Sequence, residues 1–147
     1  MLLGFKRRFA PFVEDGSKLH TVRGFRKVSP RVGETCHCYV DPRQKTMRLL
    51  GRWPCVRVDP ITLDMTRVGI SYTLRITIAN QTLDLDEACE FAWRDGFRDG
   101  ATIGGMPTGN ILRASLDEMA RFWIAAGGLT DALDSKAWHG LVIYWKR

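Results

Sequence analysis

The sequence predicts an α+β fold, a small mixed β-barrel with flanking helices, in one domain spanning residues 1–147. Three observations predict it. Most short apolar or alternating runs are joined by tight turns. Helical patterns occur only twice at length, both late in the chain. The regular strand–helix alternation of a doubly wound parallel sheet is missing. With 147 residues, 45% hydrophobic and 26% charged, the chain has the composition of a globular protein able to bury a core.

Leu2 to Phe9 mixes apolar and basic residues and is predicted as a first strand. Ala10 to Asp15 is one or two helical turns, closed by Gly16 at the C-terminal position. Leu19 to Arg23 is a second strand, Gly24 to Arg31 a basic loop broken at Ser29-Pro30, and Thr35 to Val40 a third strand. After the Asp41–Lys45 turn, Thr46 to Val58 returns as a strand, with Gly51 and Pro54 marking a bulge or bend. Asp59-Pro60 is expected to turn the chain again. Tyr72 to Ile78 alternates with period two and is a strand; Asn80-Gln81 opens the next turn.

Acids crowd the start of Asp84 to Arg94, and Ala88, Phe91 and Ala92 form an apolar stripe, so this segment is a helix ended by Asp95-Gly96-Phe97. Arg98 to Ala114, glycine-rich with Pro107, is expected as an exposed loop inserted in the domain, a flap over the site. A capping box at Ser115 and Glu118 starts the second helix, with Met119, Phe122, Trp123 and Ala126 as its buried stripe and Gly127-Gly128 as its stop. Leu141 to Trp145 is apolar on both faces and makes a central last strand.

The net charge of +6 and pI near 9.5 favour acidic partners, nucleic acid first among them. Basic residues concentrate before Arg57, whereas Asp84 to Glu90 is acidic. Such one-sidedness suits a surface that tracks phosphates, although a basic run is also an ordinary solvated surface. No apolar run nears the roughly 18 residues of a membrane span. The early Lys6-Arg7-Arg8 is unlike a secretion signal, so a cytoplasmic location is expected. Cys36, Cys38, Cys55 and Cys89 lack a paired metal-ligand spacing. Cys36 and Cys38 would share one strand face while His37 points to the other, so no metal and no other cofactor is expected.

Gly16-Ser17-Lys18-Leu19-His20-Thr21-Val22-Arg23 carries the chemistry. On a strand Thr21 and Arg23 share a face, and Lys18, in the turn just before, can fold back over it. A cation, a hydroxyl and a guanidinium then meet, a patch suited to an anionic or carbonyl-bearing ligand. Taken singly, a lysine after a glycine turn is ordinarily solvated and a strand threonine is ordinarily a β-former. His20 faces away from Thr21, and His139 is a surface or packing residue. The five tryptophans are expected mostly in the core, with Trp53, beside Arg52, free to stack a base.

Several motifs together resemble the ASCH family of the PUA-like superfamily of small β-barrels. They are Gly16, Lys18, Thr21 and Arg23 as G-x-K-x-x-T-x-R; the Val32-Gly33-Glu34 turn; and Asp95-Gly96-Phe97. The Ser115, Glu118, Met119, Phe122, Trp123 helix and a closing Gly140, Ile143, Trp145 strand complete the set. The resemblance implies a PUA-like barrel that contacts RNA or modified nucleosides in a cleft. Some members are amidohydrolases that remove the acetyl group of N4-acetylcytidine with a lysine, a threonine and a glutamate. Others are single-strand ribonucleases, and a non-catalytic RNA-binding regulatory module is the remaining alternative. Lys18 and Thr21 match the first two catalytic positions, and Asp95 stands at the third in place of glutamate, one methylene shorter; Glu90 is the alternative acid. In that scheme Thr21 attacks the acetyl carbonyl, Lys18 takes the proton and Asp95 orients the lysine or handles the leaving amine. Arg23, Lys6, Arg26 and Trp53 are assigned to substrate binding.

Overall fold

The computed structural model describes residues 1–98, 110–127 and 133–147. Its strands in chain order are β1 (Leu2–Phe5), β2 (His20–Arg23), β3 (Thr35–Val40), β4 (Arg48–Val68), β5 (Ser71–Ile78), β6 (Gln81–Thr82) and β7 (Leu133–Trp145). Its helices are α1 (Ala10–Asp15), α2 (Leu85–Arg94) and α3 (Asn110–Gly127). The protein is therefore of mixed α+β class and rich in strands. Two compact units are present, Met1–Asp59 with Leu141–Arg147, and Pro60–Gly140.

In the first unit β1 runs parallel to β3, Leu2 beside His37 and Phe5 beside Val40. β3 is antiparallel to the start of β4, and β2 is antiparallel to the end of β7. The first strand stops at Phe5, short of the expected Phe9. Arg7–Phe9 forms a 3-10 turn closed by Phe9 N–H on the Lys6 carbonyl (3.0 Å), and Pro11 then sits in the first turn of α1, where its missing N–H costs nothing. The bulge expected near Gly51 is there: Cys38 faces Gly51 but Tyr39 faces Leu49, so Leu50 is the extra residue. Leu3, Phe5, Val13, Cys36, Cys38, Val142, Ile143 and Trp145 form the core, where Phe5 meets Trp145 edge to face with centroids 5.9 Å apart. The end of β7 is tied on two sides, by Trp145 N–H on the Leu19 carbonyl (3.0 Å) and Lys146 N–H on the Pro54 carbonyl (3.2 Å).

The turn expected at Asp59-Pro60 does not form. β4 continues through it, because proline removes a ladder donor but keeps its acceptor, and the Pro60 carbonyl takes the Ala79 N–H at 3.0 Å. In the second unit Ile61–Val68 pairs with Ser71–Ile78, burying Ile61, Leu63 and Met65 on one face. Gly69, at φ 58°, opens the two-residue turn between Val68 and Ser71. The following hairpin turns at Ala79-Asn80, one residue before the expected place. Both have positive φ (49° and 67°), which matches the twist of the flanking strands.

α2 starts with a reciprocal capping box, Glu87 N–H on Asp84 Oδ1 and Asp84 N–H on Glu87 Oε2, both 2.9 Å. It ends on Gly96 at φ 98°, with Gly96 N–H on the Trp93 carbonyl (3.0 Å) and Phe97 N–H on the Ala92 carbonyl (3.1 Å). This pair of bonds lets the chain leave the helix with Phe97 turned inward. α3 corrects the expected helix start: it begins at Asn110, five residues before Ser115, which is buried inside the helix rather than capping it. Its buried stripe is Leu116, Met119, Ala120 and Ile124, one step around from the one expected, with Phe122 and Trp123 half-buried and Ala126 exposed. Residues 99–109 of the expected Arg98–Ala114 flap, and Gly128, lie outside the described residues. β7 likewise starts at Leu133, eight residues earlier than the expected last strand.

Two stability tests follow from these contacts. A Cβ at Gly51 would collide with the Trp53 ring, which is held parallel to Trp145. Gly51→Ala should therefore cost about 1–3 kcal/mol in urea unfolding, with a shift in tryptophan emission. Asp84→Ala should cost about 1 kcal/mol through loss of the capping box, with the native emission spectrum retained.

Candidate functional site

The backbone turns Lys18 inward. α1 ends at Gly16, whose φ of 83° reverses the chain, and Ser17 N–H and Oγ–H both donate to Asp15 Oδ1 (2.8 and 2.6 Å). Lys18 N–H then reaches back to the Phe12 carbonyl at 2.8 Å. The result is a lysine side chain only 2% exposed, its Nζ 5.4 Å from the centre of the Phe9 ring. The ordinary solvated lysine of a glycine turn is not what forms here.

β2 follows at once. Thr21 lies opposite Ile143 and is 4% exposed; His20, opposite Tyr144, takes the other face and is buried beside that ring at 5.5 Å. Arg23 is half-buried, with its guanidinium 5.1 Å from the Phe5 ring centre and donating through Nη2 to the Gly4 carbonyl. Burial pushes the Cys38 thiol up to about 12, the neighbouring Cys36 adds to the rise, and the positive charges of Arg23 and Lys18 oppose it. Both cations therefore bear electrostatically on the Cys38 thiol.

Three of the assigned ligand contacts gather along β1. Arg23 holds the Gly4 carbonyl, Arg26 donates to the Leu2 carbonyl at 2.9 Å, and Lys6 directly follows the strand and is exposed. Arginines thus satisfy alternate carbonyls of a strand whose ladder runs to β3. Trp53 is engaged by its own chain: it is half-buried, stacked on Trp145 at 6.5 Å and 16°, with the Arg147 guanidinium 5.4 Å from its ring centre. Of the five tryptophans only Trp145 is fully buried; Trp93, Trp123 and Trp138 are also half-buried, which corrects the expected core placement.

Asp95 belongs to the second unit, where it caps α2 with its N–H on the Phe91 carbonyl (2.8 Å) and is 5% exposed. The alternative acid, Glu90, is half-buried and ion-paired with Arg94 one turn on (2.8 Å). His139 is exposed, with Nδ1 3.1 Å from Thr62 Oγ1. Among the described residues no three His, Cys, Asp or Glu side chains are grouped to hold a metal ion.

No family model, no characterised protein and no solved structure matches this chain.

Charge separates between the units. The first holds 15 lysines and arginines against 5 acids, a formal +10; the second holds 7 against 11, a formal −4; together they give the net +6. A hollow of about 350 Å³ in the first unit, between α1 and the Asp41–Arg48 segment, does not share that excess. Arg7 pairs with Asp41 at 2.7 Å and Arg48 with Glu14, and these hydrogen bonds hold both carboxyls below the usual carboxylate range. Sequence reasoning passed over Phe25, an exposed aromatic inside the basic loop; the signal was a phenylalanine with no apolar period around it.

The thiols supply a test. Burial and the neighbouring Cys55 push Cys36 up to about 12 as well. Cys36 and Cys38 should resist iodoacetamide at pH 8 in the native protein and react in urea. An acid whose pKa is raised by folding favours the folded state below its unfolded value, so stability should fall as pH climbs from about 9 towards 12. Fast native alkylation would contradict this burial.

Proposed function

We propose that this is an ASCH-type protein with a PUA-like barrel, acting in the cytoplasm on RNA or a modified nucleoside, and that Lys18, Thr21 and Arg23 hold the reacting base. The observation that carries the reading is the burial of Lys18 (2% exposed) and Thr21 (4% exposed), with half-buried Arg23 on the same short segment, within a unit of formal charge +10. Surface cations draw in the phosphate chain, and the interior lysine and hydroxyl meet a polar group that has left water.

Burial of both Lys18 and Thr21 favours an amidohydrolase over a plain phosphate-binding surface, which would keep its cations in solvent. For an N4-acetyl group, Thr21 Oγ1 adds to the carbonyl carbon while its proton passes to Lys18, which must start as the free amine. In this reading Arg23 stabilises the oxyanion. The C–N bond breaks, the proton moves to the exocyclic nitrogen, and cytidine leaves. Water then cleaves the acetyl-threonine to acetate. Asp95 is the acid that the resemblance assigns.

The test uses N4-acetylcytidine and labelled single-stranded RNA, with Lys18→Met, Thr21→Val and Asp95→Asn. Lys18→Met keeps the aliphatic stem and removes the amine, and its melting temperature is read beside its activity so that loss of fold and loss of chemistry are told apart. Acetate release should fall at least about a hundredfold in Lys18→Met and Thr21→Val. RNA affinity should drop with salt, with a log–log slope of roughly −2 to −4 for three to five phosphates. Strand scission that survives Thr21→Val would replace the amidohydrolase by a ribonuclease, and binding without turnover would leave a binding module.

A further inference from the structure

The segment after β2 has a composition the proposed chemistry does not use. From Gly16 to Gly33 the chain has five lysines and arginines and no acid. Within it, residues 24–29 and 31–32 stand in solvent, with Pro30 half-buried. Phe25 is 68% exposed, Val28 72% and Val32 67%, and Arg26, Lys27 and Arg31 between them are exposed as well. Among the described aromatic residues, Phe25 is the only one in this state; every other phenylalanine, tyrosine and tryptophan is buried or half-buried. An exposed aromatic with two exposed valines on one short loop is the kind of apolar grouping that marks a contact surface.

The loop is also held at both ends. Arg26 grips the Leu2 carbonyl at 2.9 Å next to Phe25. At the far end Glu34 N–H closes on the Arg31 carbonyl (3.1 Å), and Gly33, at φ 87°, donates to the Cys55 carbonyl at 2.7 Å. A ring presented from an anchored loop loses less entropy on contact than one on a free tail.

We propose that residues 25–32 form a docking surface for single-stranded RNA, with Phe25 stacking one base and Lys27 and Arg31 holding flanking phosphates. Apolar and cationic residues are interspersed in Phe25-Arg26-Lys27-Val28 and Arg31-Val32. A single strand offers both kinds of partner, exposed bases and phosphates, along one short stretch. An anionic membrane would instead favour a continuous apolar face with charges at its border. A duplex keeps its bases stacked internally and offers Phe25 nothing to stack on. The proposal rests on the RNA reading above but concerns strand capture, not the reaction.

The experiment is a titration of a 12-nucleotide single-stranded RNA bearing 2-aminopurine, with Phe25→Ala, Phe25→Leu and Lys27→Ala/Arg31→Ala. Phe25 is exposed, so its variants should melt like wild type. Stacking should quench the 2-aminopurine in wild type, and Phe25→Ala and Phe25→Leu should each weaken binding about tenfold and abolish the quench. The double variant should weaken binding and make the salt slope shallower by about 1.4. Normal N4-acetylcytidine turnover with weakened RNA capture in Phe25→Ala supports the loop as a separate surface. RNA binding unchanged in Phe25→Ala and Phe25→Leu overturns the loop and leaves the proposed function standing. Phe25-dependent RNA binding with no effect of Lys18→Met or Thr21→Val on any activity sinks the proposed function and leaves the loop. Phe25-dependent binding to phosphatidylserine vesicles, without quenching by RNA, overturns the proposal in favour of a membrane contact.

Discussion

Taking a lysine side chain out of water costs on the order of several kcal/mol unless the groups that face it compensate. Lys18 is committed to that position by its backbone. The left-handed Gly16, the Asp15–Ser17 turn and the bond from Lys18 to the Phe12 carbonyl leave little freedom in where its side chain goes. The Phe9 ring offers its negative face to the ammonium, and Phe5 does the same for Arg23. A methionine would fill the same volume without the desolvation cost. Buried ionisable side chains of this kind are enriched at sites that do chemistry.

The charge excess of the first unit is not an artefact of counting unopposed side chains. Three of its five acids are held by arginines: Asp41 by Arg7, Glu14 by Arg48, and Asp59 by Arg57 at 2.6 Å. The arginines of these pairs are exposed while Asp59 is buried and Asp41 half-buried, and the pairing neutralises the acids locally. The remaining cations are left to set the field. Long-range attraction of any anionic partner would then come from the surface set and fall steeply with salt.

Local signals predicted much of the fold. The bounds of β3, the glycine stop of α1 and the capping box and glycine stop of α2 were legible because each depends on neighbours within a few residues. Long-range pairing hid the rest. Asp59-Pro60 has turn chemistry, yet β4 passes straight through because Ile61 to Val68 finds a partner strand; the alternation of Ile61, Leu63 and Met65 with Thr62, Asp64 and Thr66 was the overlooked sign. Ser115 and Glu118 spell a helix start, but packing against α2 and β5 carries α3 back to Asn110. The Lys18–Thr21–Arg23 motif was readable as a spacing. Burial of the lysine was not, since it follows from a chain reversal that closes only when α1 and β2 are both in place.

One acid-free stretch, Gly16 to Gly33, thus supplies cations of two physical kinds. Those on the loop remain hydrated and would exchange among successive phosphates of a bound strand without choosing between them. Lys18 is 2% exposed, so any further group it meets must also leave water and is selected by shape and hydrogen bonding. On the RNA reading proposed above, capture and discrimination would fall to different residues only a few positions apart. A strand drawn to the loop by charge gains nothing from Lys18 until one of its bases leaves solvent. That step, rather than the encounter, is where an acetylated base and a plain one would part.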